Sequence, residues 1–94
     1  MGLLFEWDPD KAERNIRIHD ISFDEACTTF QDPLSRTIGD PLHSQSEDRF
    51  VLIGQSDRRR ILVVVHTERG ERIRIISARL ATKKERRSYE KDEG

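Results

Sequence analysis

The sequence predicts an α+β fold: a twisted antiparallel sheet, two N-terminal helices packed on it, and a short C-terminal helix. Three observations predict it. Between Arg49 and Ala78, three runs rich in Val and Ile are joined only by Ser56-Asp57-Arg58 and by a turn at Gly70, which suits antiparallel hairpins. Ahead of them, two stretches carry apolar residues at helical spacing. Two Ser/Thr-x-x-Glu patterns, at Ser22 and Thr82, mark helix starts.

Leu3 to Trp7 reads as a short strand. Asp8-Pro9 then opens a helix, with Asp as N-cap and Pro in the first turn, where its missing N–H costs nothing. Ala12, Ile16 and His19 fall at i, i+4 and i+7, giving one apolar face of a helix that ends near Asp20. Ser22-Phe-Asp-Glu25 fits a capping box, in which hydroxyl and carboxylate each satisfy a backbone N–H. Phe23, Ala26, Cys27 and Phe30 make the buried side of this second helix, which Asp32-Pro33 ends. Leu34 to Ile38 is a further strand, and polar Gly39 to Asp48 a mobile loop. Arg49–Gln55, Arg60–Thr67 and Arg72–Ala78 are the main strands. Thr82-Lys-Lys-Glu85 is a second capping box, starting a charged helix that runs to about Glu90. Ile61, Val63 and Val65 alternate with Leu62 and Val64, so both faces of this strand are apolar and covered, the second by the last helix or by a partner chain.

Ninety-four residues make one domain, residues 1–94. One cysteine, Cys27, excludes an intrachain disulfide, and no His or Cys pair has metal spacing, so no metal and no cofactor are expected. Cys27 packs in the core. The N-terminus lacks the basic and apolar regions of a signal peptide, and no apolar run approaches the ~20 residues that span a bilayer. A cytoplasmic location is expected.

Charge is divided unevenly. From Arg58 onward there are twelve basic and six acidic residues, a net of +6, whereas residues 1–57 carry five and twelve, a net of −7. Regularly spaced arginines on a hairpin form an array of guanidinium groups that suits phosphate. The same charges also fit a plainer role, pairing with the acidic half. Simple alternation puts Arg72, Arg74, Ile76 and Ala78 on one face of the last strand and Ile73, Ile75, Ser77 and Arg79 on the other. Arg72 and Arg74 would then lie about 7 Å apart, the spacing of successive phosphates in single-stranded nucleic acid. Lys83 and Lys84 add charge at the start of the final helix, while Arg69, Arg86 and Arg87 are left as solvating charges. His19, on the apolar face of the first helix, is either a packing residue or a proton-transfer group. His43 and His66 have no second ligand at metal spacing.

The chain resembles a known family. Phe5-Glu-Trp-Asp-Pro9, Lys11, Asn15, His19, Phe23-Asp-Glu-Ala26 and Phe30-Gln-Asp-Pro33 stand in the order found in BrnT-type toxins. Glu47-Asp-Arg-Phe50, Gly54, Val63-Val-Val65, Arg72-Ile-Arg-Ile-Ile-Ser-Ala-Arg79 and Glu85-Arg-Arg-Ser-Tyr89 complete the pattern. The resemblance implies a RelE-like fold and the toxin half of a bacterial type II toxin–antitoxin module, an endoribonuclease that arrests translation. It implies a BrnA-type ribbon-helix-helix antitoxin as partner, in a 2:2 heterotetramer, with DNA contacted only through that antitoxin and no membrane contact. Lys11, His19, Arg49, Arg74, Arg79, Glu85 and Tyr89 match the family's pattern. His66 departs from it, standing where the family often has an aromatic residue, and Arg72 is a variable position. For metal-independent cleavage, Arg74 and Arg79 are the candidates for stabilising the phosphorane and His19 or Lys11 for moving protons. Arg49, Arg72, Lys83 and Tyr89 are candidates for binding substrate, Tyr89 by stacking on a base or donating to phosphate. The alternative is a non-catalytic RNA- or partner-binding module.

Overall fold

The computed structural model describes residues 2–40 and 48–91. Along the chain lie β1 (Leu4–Glu6), α1 (Pro9–His19), α2 (Phe23–Thr28), a 3-10 turn (Thr29–Gln31), β2 (Arg36–Gly39), β3 (Arg49–Gln55), β4 (Ile61–Arg69), β5 (Arg72–Leu80) and α3 (Lys83–Lys91). Most of the expected loop at Gly39–Asp48 falls on residues 41–47, which lie outside the described residues, as does His43.

The architecture is α+β, and strands β2 to β5 form the expected antiparallel meander. The sheet is nevertheless mixed, because β1 joins the β5 edge in parallel, with Phe5 opposite Ile73 and Glu6 opposite Arg74. The chain leaves β1 through α1 and α2 and reaches the sheet again only at β2, on the far edge. The first strand is therefore left beside the last, with no hairpin to reverse it.

Local signals set the helix ends. The Asp8 carboxylate accepts from the Asp10 N–H at 2.9 Å, and Asp20, at φ 58°, stops α1 in the left-handed region. The Ser22 hydroxyl accepts from the Glu25 N–H at 3.0 Å, but the Glu25 carboxylate does not complete that capping box. It turns inward instead, accepting from the Ser56 hydroxyl at 2.7 Å and from Arg60 Nε at 2.9 Å. Glu25 is buried, and the Arg60 guanidinium holds its carboxyl below the usual range. The Thr82–Glu85 box closes in full: Glu85 N–H donates to the Thr82 hydroxyl at 3.1 Å, and Thr82 N–H donates to Glu85 at 2.9 Å.

The core lies between α1, α2 and one face of the sheet, formed by Ile21, Phe23, Ala26, Leu62, Val64, Ile75 and Ala78. Edge-to-face pairs Phe5–Phe30 and Trp7–Phe23 close its rim. Gly54 lets the 3-10 turn approach β3, since a Cβ there would stand 3.1 Å from the Thr29 carbonyl oxygen and 2.9 Å from Ser35 Cβ. α1 packs differently from its apolar spacing. Ile16 and Ile18 are 47% and 64% exposed and His19 is exposed, while Asn15 is buried. No helix among the described residues is long and apolar enough to cross a membrane.

Candidate active site

The central feature is a β-bulge in β5. His66 pairs with Ile75 and Val65 with Ser77, so Ile76 has no partner on β4. One unpaired residue inverts the alternation beyond it. Ala78 therefore joins Ile73 and Ile75 on the core face, and Ser77 and Arg79 join Arg72 and Arg74 on the other. This corrects the strict alternation expected from sequence, which separated Arg74 from Arg79. The registers extend the result across the sheet. Arg49, Thr67 and Arg74 form one lateral row, and Arg36, Ile53, Val63 and Arg79 another. Between them lie Ile38, Val51, Val65 and Ser77. The rows are four residues apart on β4, roughly 13 Å. Arg36, Arg49, Arg69, Arg72, Arg74 and Arg79 thus share the face opposite the core.

Neither leading arginine stands alone. Arg74 donates to Glu6 at 2.9 Å, from the strand beside it. Arg79 forms a fork with Glu85, at 2.8 and 2.9 Å, and also donates to the Leu80 carbonyl at 3.2 Å. Hydrogen bonds from Arg79 take the Glu85 carboxyl down to about 2, with Thr82 helping, and Glu85 in turn raises the Arg79 pKa. Arg79 is therefore preorganised and fastens α3 to β5. Glu85 and Glu6 hold these two arginines in place.

Lys11 and His19 line one 290 Å³ groove with Ile76 and Ser77, between α1 and the bulge. Lys11 and His19, the sequence candidates for moving protons, thus stand beside the stretch of β5 between Arg74 and Arg79. Asn15 sits at its base. Its amide nitrogen donates to the Ala78 carbonyl at 2.8 Å and the Ile21 carbonyl at 2.9 Å, and its amide oxygen accepts from the Ala78 N–H at 3.1 Å. β1 covers only Arg72 to Arg74 of this edge, so Asn15 supplies what a longer strand would have supplied. The apolar spacing of Ala12, Ile16 and His19 points to another face of α1 and gives no sign of this role. The available signal was an Asn inside a helix, a position where this residue is disfavoured unless its amide has work elsewhere.

Other sequence candidates lie further out. Arg49 stands in the Arg74 row, Arg72 is exposed two residues before Arg74 on β5, and Lys83 is exposed at the first position of α3. Tyr89 is corrected. It is buried, its hydroxyl donates to the Asp32 carboxylate, and burial together with Asp32 pushes it up to about 12. Stacking on a base or donating to a phosphate would compete with this Asp32 contact, which joins α3 to the 3-10 turn region. His66 lies in the core between Phe30 and Phe50, with no protein partner for either ring nitrogen, and burial pushes its pKa down to about 4. Cys27 is half-buried, and desolvation pushes its thiol up to about 12, as a packing residue's would be. Among the described residues no three His, Cys, Asp or Glu side chains are grouped to hold a metal ion.

The architecture has a solved counterpart. The crystal structure of the Brucella abortus ribonuclease toxin, BrnT, at 1.1 Å resolution, aligns with a TM-score of 0.66 at 24% identity, covering 87% of this chain and all of that one. No curated protein matches the sequence. A family model described as "Ribonuclease toxin, BrnT, of type II toxin-antitoxin system" matches residues 7–85, a span that includes the bulge, both ion-paired arginines and the Lys11–His19 groove. The chain belongs to the BrnT family of ribonuclease toxins of type II toxin–antitoxin systems.

Proposed function

We propose that this chain is a metal-independent endoribonuclease that arrests translation in the cytoplasm, acting through the arginine face of its sheet. The observation that carries this reading is the bulge at Ile76, which sets Arg74 and Arg79 on one face beside the Lys11–His19 groove. In the proposed reaction a base removes the proton of a ribose 2′-OH and O2′ bonds to the adjacent phosphorus. The bond to O5′ breaks, and an acid protonates that oxygen, leaving a 2′,3′-cyclic phosphate and a 5′-OH. Arg74 and Arg79 meet the charge of the crowded phosphorane; one such preorganised donor is worth about 3–4 kcal/mol. His19 and Lys11 carry the protons. Arg49, Arg72 and Lys83 bind flanking phosphates.

Its inhibitor in this reading is a BrnA-type ribbon-helix-helix antitoxin, in a 2:2 assembly that contacts DNA only through the antitoxin. One observation favours the rival reading, a non-catalytic binding module: both leading guanidiniums already hold carboxylates. Incubating the purified chain with RNA in EDTA decides between them. New 3′ ends bearing cyclic phosphate are expected. Intact RNA, or cleavage that needs added Mg²⁺ or Zn²⁺, would overturn the proposal.

A further inference from the structure

A second cationic feature lies beside the site, and it depends on α3 and β2 rather than on the arginines of β5. A 470 Å³ groove is lined by Arg36 of β2 and by Lys84, Arg87, Ser88 and Lys91 of α3. The four helix residues fall at i, i+3, i+4 and i+7, one stripe of the helix. Among the described residues no carboxylate lines this groove. Arg86 and Glu90 lie on the other flank of α3, where they line a different groove with Arg60 and Gln55. A merely solvating helix face mixes its charges, because like charges at i and i+4 repel. Here Arg87 and Lys91 stand at that spacing and Lys84 and Arg87 one residue closer, so the described part of the stripe gathers like charge that a polyanion would offset.

The groove is continuous with an apolar recess of 180 Å³. Arg36 and Ser88 line both, and the floor of the recess is Ile38, Val51, Ile53 and Val63. Glu85, the partner of Arg79, lines the recess as well, and Val63 is the cross-strand neighbour of Arg79. A path therefore runs from Arg79 over an apolar floor to a cationic channel. A base with a flat apolar face, followed by its phosphates, matches that sequence of surfaces.

We propose that this groove binds single-stranded RNA on one side of the scissile phosphate, with Lys84, Arg87 and Lys91 on the backbone and a base on the Val51–Ile53–Val63 floor. The inference rests on the ribonuclease reading and adds a subsite to it. The probe is a 2′-O-methyl RNA oligonucleotide, which lacks the attacking hydroxyl and so reports binding without cleavage. The variant is Lys84→Gln/Arg87→Gln/Lys91→Gln in the full chain; all three residues are exposed. Its affinity is expected to fall about tenfold or more, and the slope of log K against log salt by about 2, from ~0.7 per phosphate contact on a single strand. KM for long RNA should rise while kcat on a dinucleotide stays unchanged, and Arg86→Gln should leave both measurements alone. Wild-type affinity and slope in the triple variant would overturn the proposal, as would a wild-type chain that does not bind the oligonucleotide. Loss of antitoxin binding with RNA binding intact would also overturn it, assigning the groove to an acidic protein segment. If the wild-type chain binds the oligonucleotide through these residues yet cuts no RNA, the groove stands and the ribonuclease reading falls.

Discussion

The side chain of Asn15 is hydrogen-bonded to both polar groups of the Ala78 backbone, at 2.8 and 3.1 Å. The two residues are 63 positions apart, and this contact seats the strand just past its bulge. Replacing Asn15 with Leu would leave the Ala78 N–H and the carbonyls of Ala78 and Ile21 buried without partners. At about 1–3 kcal/mol for each unsatisfied group, partly relieved by relaxation, unfolding in urea should show a loss of about 3 kcal/mol. A loss below about 0.5 kcal/mol would mean that the edge is satisfied in some other way.

Arg79 has two assignable roles, and a pair of variants separates them. Arg79→Ala should cut RNA cleavage by about 10²-fold or more, as for one lost donor to a developing charge. It should cost only about 1 kcal/mol of stability, because both side chains of the ion pair are more than a third exposed. Glu85→Gln keeps the capping geometry and a neutral hydrogen bond that still orients the guanidinium, so most of the cleavage should be retained. Equal loss of activity in both variants, with a drop in helix signal by circular dichroism, would make Arg79 a tether for α3 only. Arg86→Ala is the control.

His66 makes stability depend on pH. Burial holds its pKa at about 4, against 6.5 for an unperturbed imidazole. Above pH 6.5 both folded and unfolded states are neutral here and the full contribution is present. As pH falls, the unfolded state takes the proton first, so stability declines through the window from 6.5 to about 4, by up to about 3 kcal/mol. His66→Phe, flanked by Phe30 and Phe50, should flatten that stretch of the profile in chemical denaturation. An unchanged profile would place the titration elsewhere.

The Glu25–Arg60 pair should behave as a buried contact and not as a surface one. The Glu25 side chain is 3% exposed, and Ser56 and Arg60 are its donors. Arg60→Ala strands a carboxylate inside the protein, and a loss of about 3 kcal/mol is expected. Thermal melts across Arg60→Ala, Glu25→Gln and the double variant measure the coupling; additive losses would show that the pair is not a unit.

Inhibition by the antitoxin should occlude the arginine face. Hydrogen exchange is expected to show protection within residues 58–79 of the toxin when the partner is bound. Protection confined to residues 1–30 would mean that the partner acts at a distance from the site.

The sequence by itself determined the features whose causes lie within a few residues. Asp8-Pro9 starts a helix, Thr82 and Glu85 cap each other, Gly70 takes a positive φ in its turn, and three apolar runs with short connections make a meander. The family pattern was legible for the same reason, as residue types in a fixed order.

Only the tertiary structure decided which way those residues face. Period-two alternation separated Arg79 from Arg74, and a single unpaired residue at Ile76 brought them together. Asn15, far away in the chain, holds the Ala78 backbone just past that residue, so no local pattern announces it. The same holds for β1 beside β5, for the exposed Ile16 and Ile18, and for Tyr89 against Asp32. In each case a contact between distant segments outweighed local spacing, because burying a satisfied polar group or completing a sheet edge is worth more than a residue's intrinsic preference.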